Sequence, residues 1–408
     1  MKHIVFVIGY YYPEAGSTSL CAIKVMNDLL KRYDVEISCV CGTNNNGGFE
    51  HVNNIDVYKI KHSSFTDSLE HCSGKLERKL LKIKKHLNDF SNIWHYPDLD
   101  YRYSVIISKQ LEEIEHIKHI DCVVAVYMPK QTISGSLLFL RKHNDIKGVA
   151  YYLDTLRSNK PKPLPLKLNN KLINRYENEV FSAFERIILM KYGREYYSQD
   201  ICERYVRKIF YLGLPSLEMF NLPIKQHTAY GCYYIGTTYF KIRNPLFAMQ
   251  VFKKANERNK NISLHVFGPS DMKSQLIDWA AEHPNSFYYH DFINHEEIHH
   301  IYDEADYVVS IGNQLKGVLP GKTFEIIGTL KPIIHFTDGE NDESLQYLRQ
   351  YPNICIIDYN MSIEHATDIL IEFLSKPYRL CDSNMIDSLF KFARPEAVSE
   401  LIYSTCIK

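Results

Sequence analysis

Residues 307–334 read YVVSIGNQLKGVLPGKTFEIIGTLKPII. YVVSIG (307–312) is a short apolar run ended by a glycine, which is a strand signal. A loop follows with glycines at 312, 317 and 321. A helical pattern opens at Lys322-Thr323, and PIIHF (332–336) begins another strand. Strands that alternate with helices imply a parallel sheet flanked by helices.

The same rhythm extends in both directions. Downstream, NICIID (353–358) reads as a strand, followed by a helical tail from about 361 to 408. Upstream lie CYYIG (232–236), ISLHVFG (262–268) and SFYYHDF (286–292). The rhythm pauses at NLPIKQHTA (221–229), which reads as a linker. Before it, strand-like runs occur at 4–9, 35–42, 55–61, 121–128, 148–154, 186–190 and 208–215. Two helices with long polar faces fill roughly 75–118, and others lie near 132–143 and 168–184. Two such series predict an α/β chain of two Rossmann-like doubly wound domains, with the boundary between 212 and 229. Ligands of such sheets bind beyond the carboxyl ends of the strands, so the expected site is a cleft between the two domains.

Composition narrows the class. The chain has 408 residues, with Lys+Arg 48 balanced by Asp+Glu 48. Zero net charge argues against a global electrostatic grip on nucleic acid. Hydrophobic content of 45% is enough for substantial cores and excludes a disordered chain. Ten scattered cysteines without a C-x-x-C predict reduced thiols. IVFVIG is too short for a signal peptide, and no run reaches the roughly 18 apolar residues of a transmembrane helix. A cytoplasmic chain is expected.

Three loops carry candidate chemistry. The first runs from Gly9 to Thr18, where Gly16 and Ser17 at a helix start could present N–H groups to anionic oxygens; a plain helix cap is the alternative. The second is Gly236-Thr237-Thr-Tyr-Phe-Lys241-Ile-Arg243-Asn244-Pro245. Lys241 and Arg243 precede a positive helix N-terminus, an arrangement that is wasteful unless an anion sits there. Two solvated side chains are the alternative. In the third, Gly321, Lys322 and Thr323 offer amides, an ammonium and a hydroxyl to a phosphate. Glu325 could bond sugar hydroxyls, or merely favour the helix dipole by about 0.3–1 kcal/mol. Asp154, ending GVAYYLD, points at the expected cleft and could contact acceptor or sugar, or cap a helix.

Two further patterns compete for attention. His295-Glu296-Glu297-Ile298-His299 is a literal H-E-x-x-H, which would place two zinc ligands on one helix face. It lacks the G-x-x-H continuation, and His is abundant in this chain, so an ordinary helix is expected. KLERKLLKIKK (75–85) is basic and amphipathic, with Leu76, Leu80, Ile83 and Leu87 aligned. It reads as a solvated helix resting on its own domain, or as a patch for anionic lipid.

The residues resemble a known family. The chain looks like the retaining GT-B glycosyltransferases of the large family-four group, especially the bacterial capsule, lipopolysaccharide and exopolysaccharide type. The resemblance spans nearly the whole chain. It rests on the YYP-x-x-G-S/T loop after the first strand, on YIG…Arg243-Asn-Pro…Ala248, on HVFG and HDFINHEEIHHIYDEADYVVSIG, and on PGKTFEIIGTLKPII. It implies a GT-B fold with an acceptor-binding domain at 1–215 and a nucleotide-sugar-binding domain at 226–385. A C-terminal helix (386–408) would pack back on the first domain.

By the same resemblance Glu325 would bind the nucleotide ribose, and Gly321, Lys322 and Thr323 would line the phosphates. Arg243, with Lys241 as second choice, would hold the diphosphate beside Gly236 and Thr237. The family's first motif Glu falls on Gly317, which carries no carboxylate. A His that often follows the N-terminal-domain strand is absent from Tyr127-Met128-Pro129-Lys130.

The expected activity is sugar transfer with retention to a saccharide or lipid-linked acceptor, with Arg243, Lys322 and Asp154 as the catalytic candidates. No nucleophile is assigned. Without an Asp-x-Asp at a strand end no essential metal or other cofactor is expected. Expected partners are the donor, the acceptor and, through residues 75–87, a loosely contacted inner membrane face. The competing classes are a GT-B sugar-nucleotide epimerase, a catalytically silent nucleotide-binding scaffold and, as an outsider, a zinc hydrolase.

Overall fold

The computed structural model describes residues 1–62, 74–156, 165–220, 230–291, 293, 297–314, 316–339 and 341–407. The expected linker at 221–229 lies outside them. The chain divides into two compact units. One comprises Met1–Pro215 with Pro395–Lys408, and the other Ser216–Arg394.

The first unit is built on an eight-stranded sheet. Its strands are β1 (Lys2–Tyr10), β2 (Val35–Thr43), β3 (Gly48–Val52), β4 (Ile55–Lys61), β5 (Cys122–Tyr127), β6 (Lys147–Tyr152), β7 (Arg186–Met190) and β8 (Ile209–Leu212). Their order is β3-β4-β2-β1-β5-β6-β7-β8. All neighbours are parallel except β3 and β4. β5 is buried along its whole length, as a strand covered on both faces by helices must be. That is why these strands read as continuous apolar runs rather than alternating ones.

β3 was not legible from periodicity, because its residues are mostly exposed. The turn that makes it is visible in hindsight. Asn53 and Asn54 both take positive φ, 51° and 63°. That pair of angles belongs to the two-residue hairpin turn that Asn accommodates.

The second unit has six strands: β9 (Tyr230–Ile235), β10 (Ile262–Phe267), β11 (Phe287–His290), β12 (Tyr307–Ile311), β13 (Ile333–Thr337) and β14 (Ile354–Asp358). Their order is β11-β10-β9-β12-β13-β14, and every pairing is parallel. Helices Leu246–Arg258 and Ile363–Ser375 pack together over one face. Val251, Phe252, Leu370 and Ile334 are buried there without exposure.

The C-terminal stretch divides differently from the expected break at 386. Helix Ser383–Phe390 stays with the second unit. Its Ile386 and Phe390 are fully buried, and the Phe390 ring lies 6.1 Å from that of Phe324. Only helix Pro395–Cys406 joins the first unit, packing on helix Ser17–Arg32. Tyr403 stacks on Tyr33 with ring centroids 4.0 Å apart. The Ser399 hydroxyl donates to the Asp28 carboxylate, which also pairs with Arg32 at 3.4 Å. Ser399→Ala should therefore destabilise the chain by about 1 kcal/mol. Urea denaturation reads this, and an unchanged midpoint would show that the bond contributes nothing net.

Among the described residues, no helix is long and apolar enough to cross a membrane.

Candidate functional site

Each sheet reverses its winding direction once. In the second unit the chain runs β9, β10, β11 outward and then returns to the other side of β9 with β12. The gap beyond the carboxyl ends of β9 and β12 is thus a switch point, where open α/β sheets bind ligands. The loops that leave it are 236–244 and 312–322, two of the loops singled out from the sequence. They meet directly, since the Gln314 amide donates to the Ile242 carbonyl at 2.9 Å.

The loop after β9 is pinned on both sides. Gly236 N–H donates to Phe267 O at 2.8 Å, and the Tyr234 hydroxyl donates to the Thr237 carbonyl at 3.1 Å. Tyr239 and Arg243 close a small antiparallel bridge. That places the Arg243 guanidinium carbon 5.8 Å from the Tyr239 ring centroid, within range of cation–π attraction. Its Nε is buried and makes no hydrogen bond among the described residues. A buried guanidinium N–H without an acceptor is costly unless a ligand supplies one. Lys241, by contrast, is exposed. Helix Leu246–Arg258 follows directly on Pro245, which already has helical backbone angles. The Asn244 side chain accepts from Leu246 N at 2.9 Å and so closes the helix start.

The loop after β12 shows why its glycines sit where they do. Gly317 has φ +78°, a left-handed conformation that costs glycine little. Its amide donates to Glu343 Oε1 at 2.8 Å. Glu343 follows β13, the next strand in the sheet, and was not anticipated. The loop position that lacks an acid of its own therefore has one beside it, supplied by a neighbouring strand end. The signal was present in Asp342-Glu343 just past an apolar strand, but only the strand order makes it meaningful.

Helix Thr323–Gly328 carries the remaining candidates. Lys322 Nζ lies 2.6 Å from Glu325 Oε1. The buried Tyr302 hydroxyl donates to the same oxygen at 3.0 Å. Burial, and then the adjacent Glu325 charge, push the Tyr302 phenol well above its usual pKa, so it stays a donor. Tyr302 was also missed. It comes from helix Ile298–Glu304, which the sequence marks only as an ordinary helix.

Thr323 and Gly321 of this turn already have partners within the protein. The Thr323 amide and hydroxyl both donate to the Pro320 carbonyl, at 3.0 and 2.8 Å, so in this state they face their own loop. Gly321 presents its carbonyl to Ser216 Oγ at 3.1 Å. Another lysine of the motif, Lys331, is structural. Its side chain is buried and donates to the Asp303 and Ala305 carbonyls at the end of helix Ile298–Glu304.

The other candidates belong to the first unit. Its own switch point lies between β1 and β5. Gly16 is the N-cap of helix Ser17–Arg32 and makes no side-chain cap, and Ser17 is exposed. Ser19 Oγ turns back to β1 and accepts from Tyr10 N at 3.2 Å. Asp154 lies two residues beyond β6. Tyr127, at the end of β5, has its phenol raised by burial first and by Asp154 next.

His295 and Glu296 of the H-E-x-x-H lie outside the described residues. His299 sits with its ring 4.4 Å from Phe220. Among the described residues no cluster of three His, Cys, Asp or Glu side chains could hold a metal ion.

No family model matches the sequence, and no curated protein does. Solved structures match over the whole chain. A trehalose-6-phosphate structure from E. coli bound with UDP-2-fluoro glucose superposes with a TM-score of 0.58 at 10% identity, covering 99% of each chain. The catalytic domain of starch synthase IV from Arabidopsis thaliana, bound to ADP and acarbose, gives 0.60 at 9% identity and covers 100% of each. S. aureus TarM, in complex with UDP and alpha-GlcNAc-glycerol, gives 0.59 at 10% identity, covering 100% of this chain and 99% of that one. At these identities the likeness is one of fold, and the fold of this chain is the GT-B fold.

Proposed function

We infer that the chain is a glycosyltransferase. It moves a sugar, with retention, from a nucleotide-sugar donor to a saccharide or lipid-linked acceptor in cell-surface polysaccharide synthesis. The observation that carries this reading is the meeting of the Arg243 loop and the Gly312–Lys322 loop at the switch point of the second unit, joined by Gln314 N–H to Ile242 O. Solved neighbours with the same fold hold UDP or ADP, which supports a nucleoside diphosphate as ligand class.

Arg243, with its buried Nε lacking a hydrogen-bond partner, and Lys322 neutralise the charge that develops on the departing diphosphate. Lys241 is exposed and reaches the phosphates only as a second cation. Glu325 accepts from the ribose, and Gly236, Thr237, Gly321 and Thr323 border the phosphates. Glu343 supplies the carboxylate that Gly317 lacks, within reach of the donor sugar's hydroxyls. Gly16 and Ser17 are the donor-binding candidates of the first unit, and Asp154 contacts acceptor or sugar.

The reaction needs no metal, so turnover should survive chelation. The acceptor is met at the cytoplasmic face of a membrane, with loose surface contact through residues 75–87.

The test is a panel of nucleotide sugars with released nucleoside diphosphate as readout. One donor class should release it, faster with acceptor than without. An inverted anomeric configuration in the product would sink the retaining mechanism. Nucleotide binding with no release from any donor would instead assign a silent scaffold.

A further inference from the structure

Helix Lys75–Ser91 sits on the first unit with the wrong side in. Its half-buried row is Leu81, Lys85, Asn88 and Asp89. The Asn88 amide donates to the Leu99 carbonyl at 3.1 Å, and Lys85 pairs with Asp89 at 2.7 Å. The apolar row points the other way. Leu76, Leu80, Ile83, Leu87 and Phe90 are all exposed, from 48% at Ile83 to 78% at Leu76. Trp94, in the short turn that follows, is 87% exposed. An amphipathic helix normally buries its apolar stripe. Contiguous exposed apolar side chains of this kind mark a surface that something else covers.

Charge decides what covers it. Residues 75–87 carry six basic side chains and one acid. The apolar spacing of four and three is that of a coiled-coil seam, so a second copy is the natural rival. In a parallel self-pair, however, Lys79 of each copy falls opposite Lys84 of the other, and like charges there oppose pairing. The same flanking lysines suit a negative plane. A tryptophan beside an apolar row is at home at the headgroup boundary of a bilayer.

We propose that the outward row of helix Lys75–Ser91, continued by Trp94, docks flat on an anionic phospholipid surface, with Lys79, Lys82 and Lys84 against the headgroups. This rests on the transferase reading only for why a membrane matters. It also enlarges the contact from residues 75–87 to residues 76–94.

Flotation of the full chain tests it, with vesicles of phosphatidylcholine alone or mixed with phosphatidylglycerol. The chain should float with the mixed vesicles and stay behind with the neutral ones. The double variant Leu87→Ser, Phe90→Ser should lower partition about a hundredfold, the loss expected for two buried apolar side chains. The double variant Lys79→Glu, Lys84→Glu should lose the preference for the anionic mixture. Because all four side chains are exposed, both variants should melt with wild type.

Equal flotation on both vesicles, or variants that bind like wild type, would overturn the proposal. So would a lipid-free dimer that Leu87→Ser, Phe90→Ser dissociates, since a second copy would then cover the row. Release of nucleoside diphosphate without vesicles should be the same in wild type and both variants. A chain that floats as expected but releases none from any donor counts against the transferase reading alone.

Discussion

Glu325→Ala should weaken binding of a nucleoside diphosphate roughly ten- to a hundredfold. That is the loss of a charged hydrogen bond, about 1.5–3 kcal/mol. The geometry adds a complication that residue spacing could not show. Glu325 Oε1 already accepts from Lys322 Nζ at 2.6 Å and from Tyr302 at 3.0 Å. Removing the carboxylate frees the ammonium and strands a buried phenol. Glu325→Gln keeps an acceptor for Tyr302 and should lose less. Tyr302→Phe is the control, because it removes one donor to Glu325 and leaves the charge in place.

Lys322→Ala and Arg243→Ala should act differently from Glu325→Ala. Their charges matter most as the diphosphate leaves, so turnover should fall more than donor affinity. Because Lys322 and Glu325 touch, their substitutions should not add. Arg243→Ala should add to either, since its loop meets this one through backbone atoms. Calorimetric titration of nucleoside, nucleoside diphosphate and sugar donor separates these outcomes. A Glu325→Ala chain that binds nucleoside diphosphate like wild type would remove Glu325 from the site.

Much of the architecture was readable because covered parallel strands must be apolar along their length. β1, β5 and β12 stand out for that reason, and the loops after them follow by chain order. β3 was lost because its residues face solvent and its pairing depends on two asparagines with positive φ. The site was only half readable for a related reason. Arg243, Lys322 and Glu325 sit in the loops and turns that announce themselves in the sequence. Tyr302 and Glu343 reach the same loops from other elements, and only sheet order and helix packing bring them there. Helix Lys75–Ser91 makes the same point in reverse. Its two faces were plain from spacing, but not which face turns inward, since the Leu99 carbonyl that Asn88 meets lies outside the helix.

The largest loss of stability should come from the His335–Asp342 pair buried beneath the Gly312 loop. His335 Nε2 lies 2.7 Å from Asp342 Oδ2, and neither side chain is exposed. Ser344 donates to the other carboxylate oxygen through its amide at 2.9 Å and through its hydroxyl. Burial alone would raise the Asp342 pKa. The bond from His335, its charge, and the Ser344 and Thr337 hydroxyls more than offset that and hold it below the ordinary 3.8. Because the folded-state pKa is depressed, this contribution is fully present above the unfolded value. It is lost as pH falls below about 4 and through the folded-state value.

Asp342→Ala leaves His335 and the Ser344 amide and hydroxyl buried without their acceptor and should cost about 3 kcal/mol or more, at about 1–3 kcal/mol for each stranded group. Gly312→Ala should cost about 1–3 kcal/mol, because a Cβ there would overlap the Asp342 carboxylate and must displace it. The chain has two tryptophans. Trp94 in the first unit is largely exposed, whereas Trp279 in the second is half-buried. Urea denaturation followed by tryptophan emission therefore reports mainly on the second unit. Both variants should shift that transition to lower urea, and the wild-type midpoint should fall as pH drops below 4 while the Asp342→Ala midpoint falls less. Equal pH dependence in the two would mean that Asp342 is not the carboxylate whose protonation loosens this unit.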